Sequence, residues 1–122
     1  MIWLDERKWV MATVSKIHEC VKEMQNIPFE LKQNQIKCLE LLSSGKDVLA
    51  VLPTGYGKSI IYAILPKVWD FLEEIRTNSI VIVISPLVSL MKDQVQNIGK
   101  YGIDSVYLGE SHNSGTSIIV YI

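Results

Sequence analysis

The most regular pattern in the chain is an apolar stripe near its N-terminus. Within residues 5–24, apolar side chains recur at steps of four, three, four and three residues, which places them on one face of an α-helix. The steps also fit a heptad that could meet a helical partner. Because the run barely reaches three heptads, the pattern favours packing on the chain's own domain. The stripe consists of Val10, Val14, Ile17, Val21 and Met24.

After this helix, apolar runs of strand length alternate with amphipathic stretches of helix length. Short continuous apolar runs are typical of strands that are buried on both faces. A strand–helix–strand order predicts a parallel sheet with helical crossovers, so we expect an α/β fold preceded by N-terminal helices. The predicted helices are residues 31–43, 58–74 and 86–98, and the predicted strands are residues 47–52, 79–84, 104–108 and 117–122.

The composition fits one small α/β domain. The 122 residues are too few for two domains, and 48% of them are hydrophobic, which is slightly high for a stand-alone soluble domain. This share fits parallel strands covered on both faces, and it also fits a fragment that lacks part of that cover. The formal net charge of −1 gives no overall electrostatic sign of nucleic-acid binding, although it does not exclude a local binding surface.

The termini and the cysteines indicate the reducing interior of a cell. Mixed charge in residues 1–8 stands where a signal peptide needs an apolar stretch. The most apolar run, residues 60–72, is interrupted by polar residues and is too short for a membrane span. Cys20 and Cys38 are too few for a disulfide framework or a metal site, so we expect reduced core thiols. We predict a nuclear protein in a eukaryote and otherwise a cytoplasmic one, not secreted and with no membrane partner.

The strongest chemical signal is the segment Pro-Thr-Gly-Tyr-Gly-Lys-Ser at residues 53–59. It lies between a predicted strand and a predicted helix, the context that a phosphate-binding loop requires. Glycines let successive N–H groups point at one anion, and the helix start adds unpaired N–H groups and a positive dipole end. Lys58 would reach the β- and γ-phosphates, and the Ser59 hydroxyl would hold Mg²⁺. The residues predicted to bind ATP and Mg²⁺ here are Thr54, Gly55, Tyr56, Gly57, Lys58 and Ser59.

One position departs from the full phosphate-loop pattern. The pattern asks for glycine where this chain has Leu52. This departure, and the lack of an arginine-rich lid, disfavour a small nucleotide kinase, whereas the loop is similar to that of superfamily 2 helicases. The alternative is a glycine-rich turn that happens to precede a lysine, but it does not account for the predicted strand and helix on either side.

Three further segments resemble RecQ-type DNA helicases in order and spacing; they are residues 31–35, 85–95 and 101–108. The first, Leu-Lys-Gln-Asn-Gln, is similar to the adenine-reading motif of that family. The resemblance implies that the Gln35 amide holds the edge of adenine, that Lys32 lies along the base and that Phe29 stacks on it. Without the resemblance, Gln35 would be interpreted as an exposed residue of a helix.

The second segment, Ser-Pro-Leu-Val-Ser-Leu-Met-Lys-Asp-Gln-Val, is the most family-specific part of the chain. In RecQ-like helicases this segment touches the backbone of single-stranded DNA. The resemblance therefore implies that Ser85, Ser89 and Lys92 contact DNA. Hydroxyl and ammonium groups position a phosphate backbone without reading base sequence. The same residues also predict a well-capped amphipathic helix, which is compatible with that role.

The resemblance implies a RecA-like P-loop domain that is incomplete in this chain. A RecQ-like helicase continues with a strand that ends in an Asp-Glu pair, which completes Mg²⁺ binding and positions the attacking water. No acidic pair in this chain follows a strand after the phosphate loop. Residues 115–122 resemble the strand that precedes that motif, and the expected helix before it is reduced to residues 109–114. We therefore expect a truncated or misassembled chain with uncovered strands and a tendency to aggregate.

Two hypotheses from different functional classes remain. In the first, residues 1–28 form an N-terminal amphipathic helix, and residues 29–122 form a partial ATP-binding domain of a 3′-to-5′ DNA helicase. Its ligands would be ATP, Mg²⁺ and single-stranded DNA, and the chain alone would not unwind DNA. In the second, the chain is a non-catalytic module that binds a nucleotide or a partner protein.

Overall fold

A computed structural model describes residues 6–24, 26–74, 78–85, 88–108 and 117–121, with the backbone alone for residues 6–11, 88–90 and 117–121. Within these ranges the chain forms four helices and three strands, close to the predicted positions except for one strand. In chain order the elements are α1 (Glu6–Glu23), α2 (Gln33–Ser43), α3 (Lys58–Leu72), β1 (Val81–Ser85), α4 (Val88–Gly99), β2 (Ser105–Leu108) and β3 (Ser117–Tyr121).

The apolar face of α1 packs inside the domain. Helix α1 lies against both α2 and α3. Ile17 and Cys20 on that face are buried, and Val21 and Met24 pack against the same core. The prediction that the stripe packs on the chain's own domain is therefore confirmed for these residues. Their apolar surface is used in the core and does not form an exposed face for a helical partner.

Helix α3 lies at the centre of the core because it is apolar on nearly every side. It packs against α1, α2 and β1. Each large aliphatic side chain that it buries contributes about 1.5–3 kcal/mol relative to full exposure. No helix in the described ranges is long and apolar enough to cross a lipid bilayer. The buried residues of α3 are Ile60, Ile61, Ala63, Ile64, Pro66 and Val68.

Both cysteines are free and buried, as expected for core thiols. The Sγ atom of Cys20 lies 3.7 Å from the Lys67 carbonyl oxygen. Burial, with a smaller contribution from the negative charge of Glu23, raises the pKa of the Cys20 thiol from 9.0 to about 11. The thiol is therefore protonated at neutral pH, and a protonated thiol is a poor nucleophile and a poor metal ligand.

The three strands form one sheet in the order β1-β3-β2, and both pairings are antiparallel. The central strand pairs Ile119 with Val83 on one side and with Tyr107 on the other. The prediction of a parallel sheet was wrong. Strands β1 and β2 do run in the same direction, as two strands joined through α4 should, but β3 lies between them. Residues 109–116 are too few for a crossover of a dozen or more residues, so β3 must return antiparallel to β2.

Residues 47–52, predicted as the first strand, form no strand in the structure. Leu49 and Val51 expose 92% and 86% of their surface. A strand is stabilised by the hydrogen bonds of a neighbouring strand, and no described strand pairs with this segment. The prediction of a strand here was wrong because an apolar run forms a strand only where a neighbouring strand can pair with it.

The outward faces of β1 and β2 are apolar and largely exposed. The outward-facing residues of β1 are Ile82 and Ile84, and Ile80 just before the strand faces the same way. Those of β2 are Val106 and Leu108. All five side chains are between 49% and 70% exposed. The opposite faces of these strands point toward the core, as a period of two residues requires. The expectation of uncovered strands is confirmed for β1 and β2.

The uncovered face should make the chain self-associate. We expect the double substitution of Ile82 and Ile84 by lysine to lower light scattering and to move the chain toward a monomer in size-exclusion chromatography, because lysines on an outer strand oppose edge and face association. A matched control places lysine at Ser15 and Gln96, which are exposed positions on helices. Equal scattering from the two doubly substituted chains would contradict this role of the sheet face.

Candidate phosphate-binding site

The predicted phosphate loop is a turn that leads directly into α3. The Tyr56 N–H donates to the Pro53 carbonyl over 3.1 Å and closes the turn. Gly55 and Gly57 have φ values of 80° and 95°, a region that L-residues other than glycine rarely adopt. Gly57 is the N-cap of α3. The loop therefore bends at the point where the first N–H groups of α3 have no partner within the helix.

Lys58 and Ser59 occupy the first two positions of α3. The Lys58 side chain is exposed, and within the described part of the chain its ammonium group makes no hydrogen bond or ion pair. Ser59 is half-buried and lines the cleft beside the loop. Thr54 is exposed at the tip of the turn. Lys58 and Ser59 therefore belong to the positive end of the α3 dipole, where an anion is stabilised, and Thr54 lies in the turn before it; neither Thr54 nor Lys58 is among the residues that line the cleft.

Gln35 connects α2 to the loop and is only 3% exposed. Its Nε2 group donates to the carbonyl oxygens of Tyr56 and Gly57 over 3.3 and 3.0 Å. Its Oε1 atom accepts a 2.8 Å hydrogen bond from the Lys32 N–H at the start of α2. The interpretation of Gln35 as an exposed helix residue is therefore wrong. Sequence reasoning missed the contact with the loop, although a glutamine at the third helical position is a known signal of a side chain that reaches back to the N-cap.

Lys32 and Asn34 hold the ring and the backbone of Tyr56. The Lys32 Nζ atom donates to the Tyr56 carbonyl over 2.9 Å and lies 4.5 Å from the centre of the Tyr56 ring. The Asn34 N–H donates to the Tyr56 hydroxyl over 3.3 Å. Because an ammonium group is attracted to the face of an aromatic ring, these contacts restrict the loop at its middle residue. The structure therefore brings the predicted residues Lys32, Gln35 and Tyr56 together.

The two loop glycines differ in their surroundings. A Cβ atom at Gly57 would lie 2.6 Å from the Gln35 Nε2 atom, whereas a Cβ at Gly55 would meet nothing within 4 Å. Gly55 is therefore required by its backbone conformation alone. Gly57 is required by its conformation and also by the close approach of Gln35.

A cleft of about 360 Å³ begins at the loop and ends at two aromatic rings. Its volume lies in the range of small-molecule sites. The rings of Phe29 and Tyr101 meet at a centroid distance of 5.5 Å and an angle of 88°. The cleft is lined by Phe29, Glu30, Lys32, Gln35, Gly55, Tyr56, Gly57, Ser59, Ile60, Asn97, Ile98 and Tyr101. Among the described residues, no three His, Cys, Asp or Glu side chains form a group that could hold a metal ion.

The predicted DNA-contacting residues lie on β1 and α4 and are not among the residues that line the cleft. Ser85 is the last residue of β1 and is half-buried. Lys92 is exposed on α4, and its Nζ atom lies 5.8 Å from the centre of the Tyr107 ring. Ser89 lies in α4, and its side chain is outside the described part of the structure. Of the two predicted side chains that the structure describes, Ser85 lies at the C-terminal end of β1, and Lys92 lies on α4 beside Tyr107 of β2.

Comparison with known proteins gives one family. Residues 32–118 match the sequence profile of the DEAD/DEAH box helicases. The matched range contains the loop, Gln35 and Lys92, and it begins after Phe29. No solved structure matches the chain significantly.

Several curated proteins are similar to this chain over most of its length. The ATP-dependent helicase SGS1 of Saccharomyces cerevisiae is 38% identical over 90 residues, 74% of this chain and 6% of that protein. The ATP-dependent DNA helicase RecQ of Haemophilus influenzae is 36% identical over 80 residues, 66% of this chain and 12% of that protein. The probable ATP-dependent DNA helicase RecS of Bacillus subtilis is 41% identical over 71 residues, 58% of this chain and 13% of that protein. The chain thus spans 6 to 13% of the length of these relatives.

Proposed function

Because the chain belongs to the DEAD/DEAH box helicase family, we propose that it is the ATP-binding portion of a RecQ-like 3′-to-5′ DNA helicase. The main support for the proposal is the turn at residues 53–57. Its two glycines have positive φ values, and the turn leads directly into α3, whose first residue is Lys58. In the whole protein, residues 29–122 would be part of a RecA-like motor domain, with α1 (Glu6–Glu23) packed against it. A role on DNA would place that protein in the nucleus of a eukaryote or in the cytoplasm of a bacterium.

The triphosphate would lie against the loop and the start of α3. Backbone N–H groups of Thr54, Gly55 and Gly57 and of the first turn of α3 would supply several donors to the phosphate oxygens, whereas the Tyr56 N–H is used in closing the turn. The exposed Lys58 ammonium adds a full positive charge that no described residue neutralises. Because charge-assisted hydrogen bonds are roughly twice as strong as neutral ones, Lys58 is the side chain on which phosphate binding depends most.

The adenine would lie in the cleft beside Gln35, Lys32 and Phe29. All three residues line that cleft. The Gln35 amide is bound to two loop carbonyls without nucleotide, so binding of the adenine edge would exchange at least one of these hydrogen bonds for one to the base. The base and the loop carbonyls would therefore compete for hydrogen bonds from the Gln35 amide.

Ser59 fits the role of a Mg²⁺ ligand. Its hydroxyl lies in the first turn of α3, at the cleft and next to Lys58. Mg²⁺ bound to a nucleotide keeps several waters and takes only one or two protein ligands besides phosphate oxygens, so an acidic cluster is not required for binding. When bound, Mg²⁺ would neutralise charge between the β- and γ-phosphates.

ATP binding without hydrolysis is the activity that we propose for this chain alone. Hydrolysis of ATP needs a group that positions the attacking water, and the protein's contribution to phosphoryl transfer is mainly positioning and electrostatic. In the family, an Asp-Glu pair at the end of a later strand would provide this group. No Asp-Glu pair follows the loop in the sequence of this chain. Unwinding would therefore be a property of the whole protein.

Single-stranded DNA would contact the region where β1 meets α4 through Ser85, Ser89 and Lys92. The exposed position of Lys92 supports this proposal, because a solvent-facing ammonium group can pair with a phosphate at little desolvation cost. The contacts would be to the backbone, so they would not depend on base sequence.

A substitution at Lys92 tests the DNA contact. We expect Lys92→Ala to weaken binding of a labelled oligothymidine in fluorescence anisotropy and to lower the slope of log K against log salt by about 0.7, the value for one phosphate contact on a single strand. The matched control is Lys100→Ala, which removes an exposed lysine just beyond the end of the same helix. Equal slopes for the two variants would contradict a DNA contact at Lys92.

Titration of the chain with a fluorescent ATP analogue tests the proposed function. The expected result is saturable binding that ATP displaces and that removal of Mg²⁺ weakens, with no phosphate released over hours. A chain that binds no nucleotide would overturn the proposal. Release of phosphate at a rate that tracks the chain's concentration would contradict the assignment of binding without hydrolysis.

A further inference from the structure

The cleft beside the loop is lined by an aromatic pair, Phe29 and Tyr101, of which the resemblance gives a role to Phe29 alone. Phe29 belongs to the segment before α2, and Tyr101 belongs to the turn after α4. We propose that Tyr101 is a base-binding residue of the nucleotide site, where it forms with Phe29 an aromatic platform for the purine ring. This inference rests on the proposed function and adds a residue that the resemblance to helicases does not assign.

The geometry of the pair leaves room for a planar base. With an angle of 88° between the rings, one ring presents its edge to the other, so both faces of that first ring are free of its partner. Phe29 is 39% exposed and Tyr101 is half-buried. The exposed part of the pair therefore offers an aromatic surface at the cleft for a purine to contact.

The same cleft joins the rings to the phosphate loop. Gly57 and Ser59 line one part of it, and Phe29 and Tyr101 line another. A nucleotide has this distribution of chemistry, with a highly charged chain at one end and a flat, largely uncharged ring at the other. The positive helix start suits the phosphates, and the aromatic pair suits the base.

Backbone contacts hold Tyr101 in place. Its N–H donates to the Ile98 carbonyl over 2.9 Å, and the Gly102 N–H donates to the Gly99 carbonyl over 3.1 Å, so the turn that ends α4 is closed. Gly102 has a φ of 70°, and a Cβ there would lie 2.6 Å from the Asn26 Nδ2 atom. The turn after α4 is therefore docked against the connector that carries Phe29.

Stacking predicts a particular kind of selectivity. Every base has an aromatic face, so stacking favours a nucleotide over an inorganic phosphate chain without distinguishing one base from another. Any preference for adenine would depend on hydrogen-bonding groups such as the Gln35 amide. The contribution of Tyr101 is therefore visible in a comparison of ATP with tripolyphosphate, which shares the charged end and lacks the base.

Calorimetric titration of the wild-type chain, Tyr101→Leu and Tyr101→Phe with Mg²⁺-ATP and with Mg²⁺-tripolyphosphate tests the inference. We expect Tyr101→Leu to weaken ATP binding about tenfold and to leave tripolyphosphate binding unchanged, because stacking on one aromatic ring is lost. Tyr101→Phe keeps the ring and should bind ATP within about twofold of the wild type. If the ratio of the two affinities is the same in all three chains, the pair only packs the connector against the end of α4, and the inference is wrong.

Two further results separate failure of the inference from other causes. If Tyr101→Leu has a lower melting temperature and cannot be titrated, Phe29→Leu removes the other ring and should show the same selective loss of ATP affinity; an unchanged ratio there overturns the inference. If the wild-type chain binds neither ATP nor tripolyphosphate, the proposed function itself is overturned. If the wild-type chain binds both ligands and the variants leave the ratio of ATP affinity to tripolyphosphate affinity unchanged, the proposed function stands and the inference of an aromatic platform is wrong.

Discussion

Replacing Lys58 with alanine should abolish detectable binding of ATP to this chain. Lys58 stands at the first position of α3, exposed, with no ion pair or hydrogen bond inside the described part of the chain. Its ammonium group is therefore free to meet the phosphates, and each hydrogen bond to a charged group contributes about 1.5–3 kcal/mol. A loss of two such bonds would weaken binding by roughly two to four powers of ten, since each 1.4 kcal/mol is a factor of ten.

The measurement is titration with a fluorescent ATP analogue, accompanied by thermal unfolding of each variant. Because Lys58 is exposed, its replacement should leave the melting temperature unchanged, so a loss of binding can be assigned to the site. Lys46→Ala is the matched control, because Lys46 is an exposed lysine outside the loop. Binding by Lys58→Ala at the wild-type affinity would remove the assignment of the turn as a phosphate loop.

Gly57→Ala should destabilise the chain more than Gly55→Ala, although the two glycines share the same loop and the same sign of φ. Both substitutions place a side chain at a positive φ, at a cost of about 1–3 kcal/mol. At Gly57 the new Cβ also meets the Gln35 Nε2 atom at 2.6 Å. The amide end of a glutamine can move, but here it is buried and makes three hydrogen bonds that the movement would break. Each of them contributes about 0.5–1.5 kcal/mol.

A double-mutant cycle isolates the contact between Gly57 and Gln35. Urea unfolding of the two alanine variants should show a larger loss of unfolding free energy for Gly57→Ala, by about 1–3 kcal/mol. In the Gln35→Ala background the hydrogen bonds and the close contact are absent, so the difference between the two glycine substitutions should disappear. A difference that persists unchanged in that background would show that Gln35 does not hold the loop.

The outward faces of β1 and β2 and the segment at residues 47–52 share one property. Both are strongly apolar and both are largely exposed; Leu49, Val51 and Ile84 expose 92%, 86% and 70% of their surface. Apolar residues at such exposure are a liability in a monomer, because contiguous apolar patches promote association.

Local properties of the sequence were enough to predict the helices and the position of the loop. The apolar spacing of α1, α2 and α4 and the continuous apolar stretch of α3 depend on residues a few positions apart, and the structure confirms each of these helices. The loop at residues 53–57 is recognisable because only glycine adopts positive φ without strain, so two glycines before a lysine mark the bend and the helix start. The comparisons confirm the RecQ-like resemblance drawn from short motifs.

Contacts between distant parts of the chain could not be predicted in this way. The direction of β3 depends on the length of the connection before it, and the absence of a strand at residues 47–52 depends on whether a neighbouring strand is there to pair with it. The burial of Gln35 under the loop and the meeting of Phe29 with Tyr101 arise because α2, α3 and α4 pack around one core. Spacing along a chain reports which residues share a face of one element, because that geometry is local. Which faces then meet is determined by the packing of all the elements at once, and in this protein that packing is what joins the loop, the amide and the aromatic pair into one cleft.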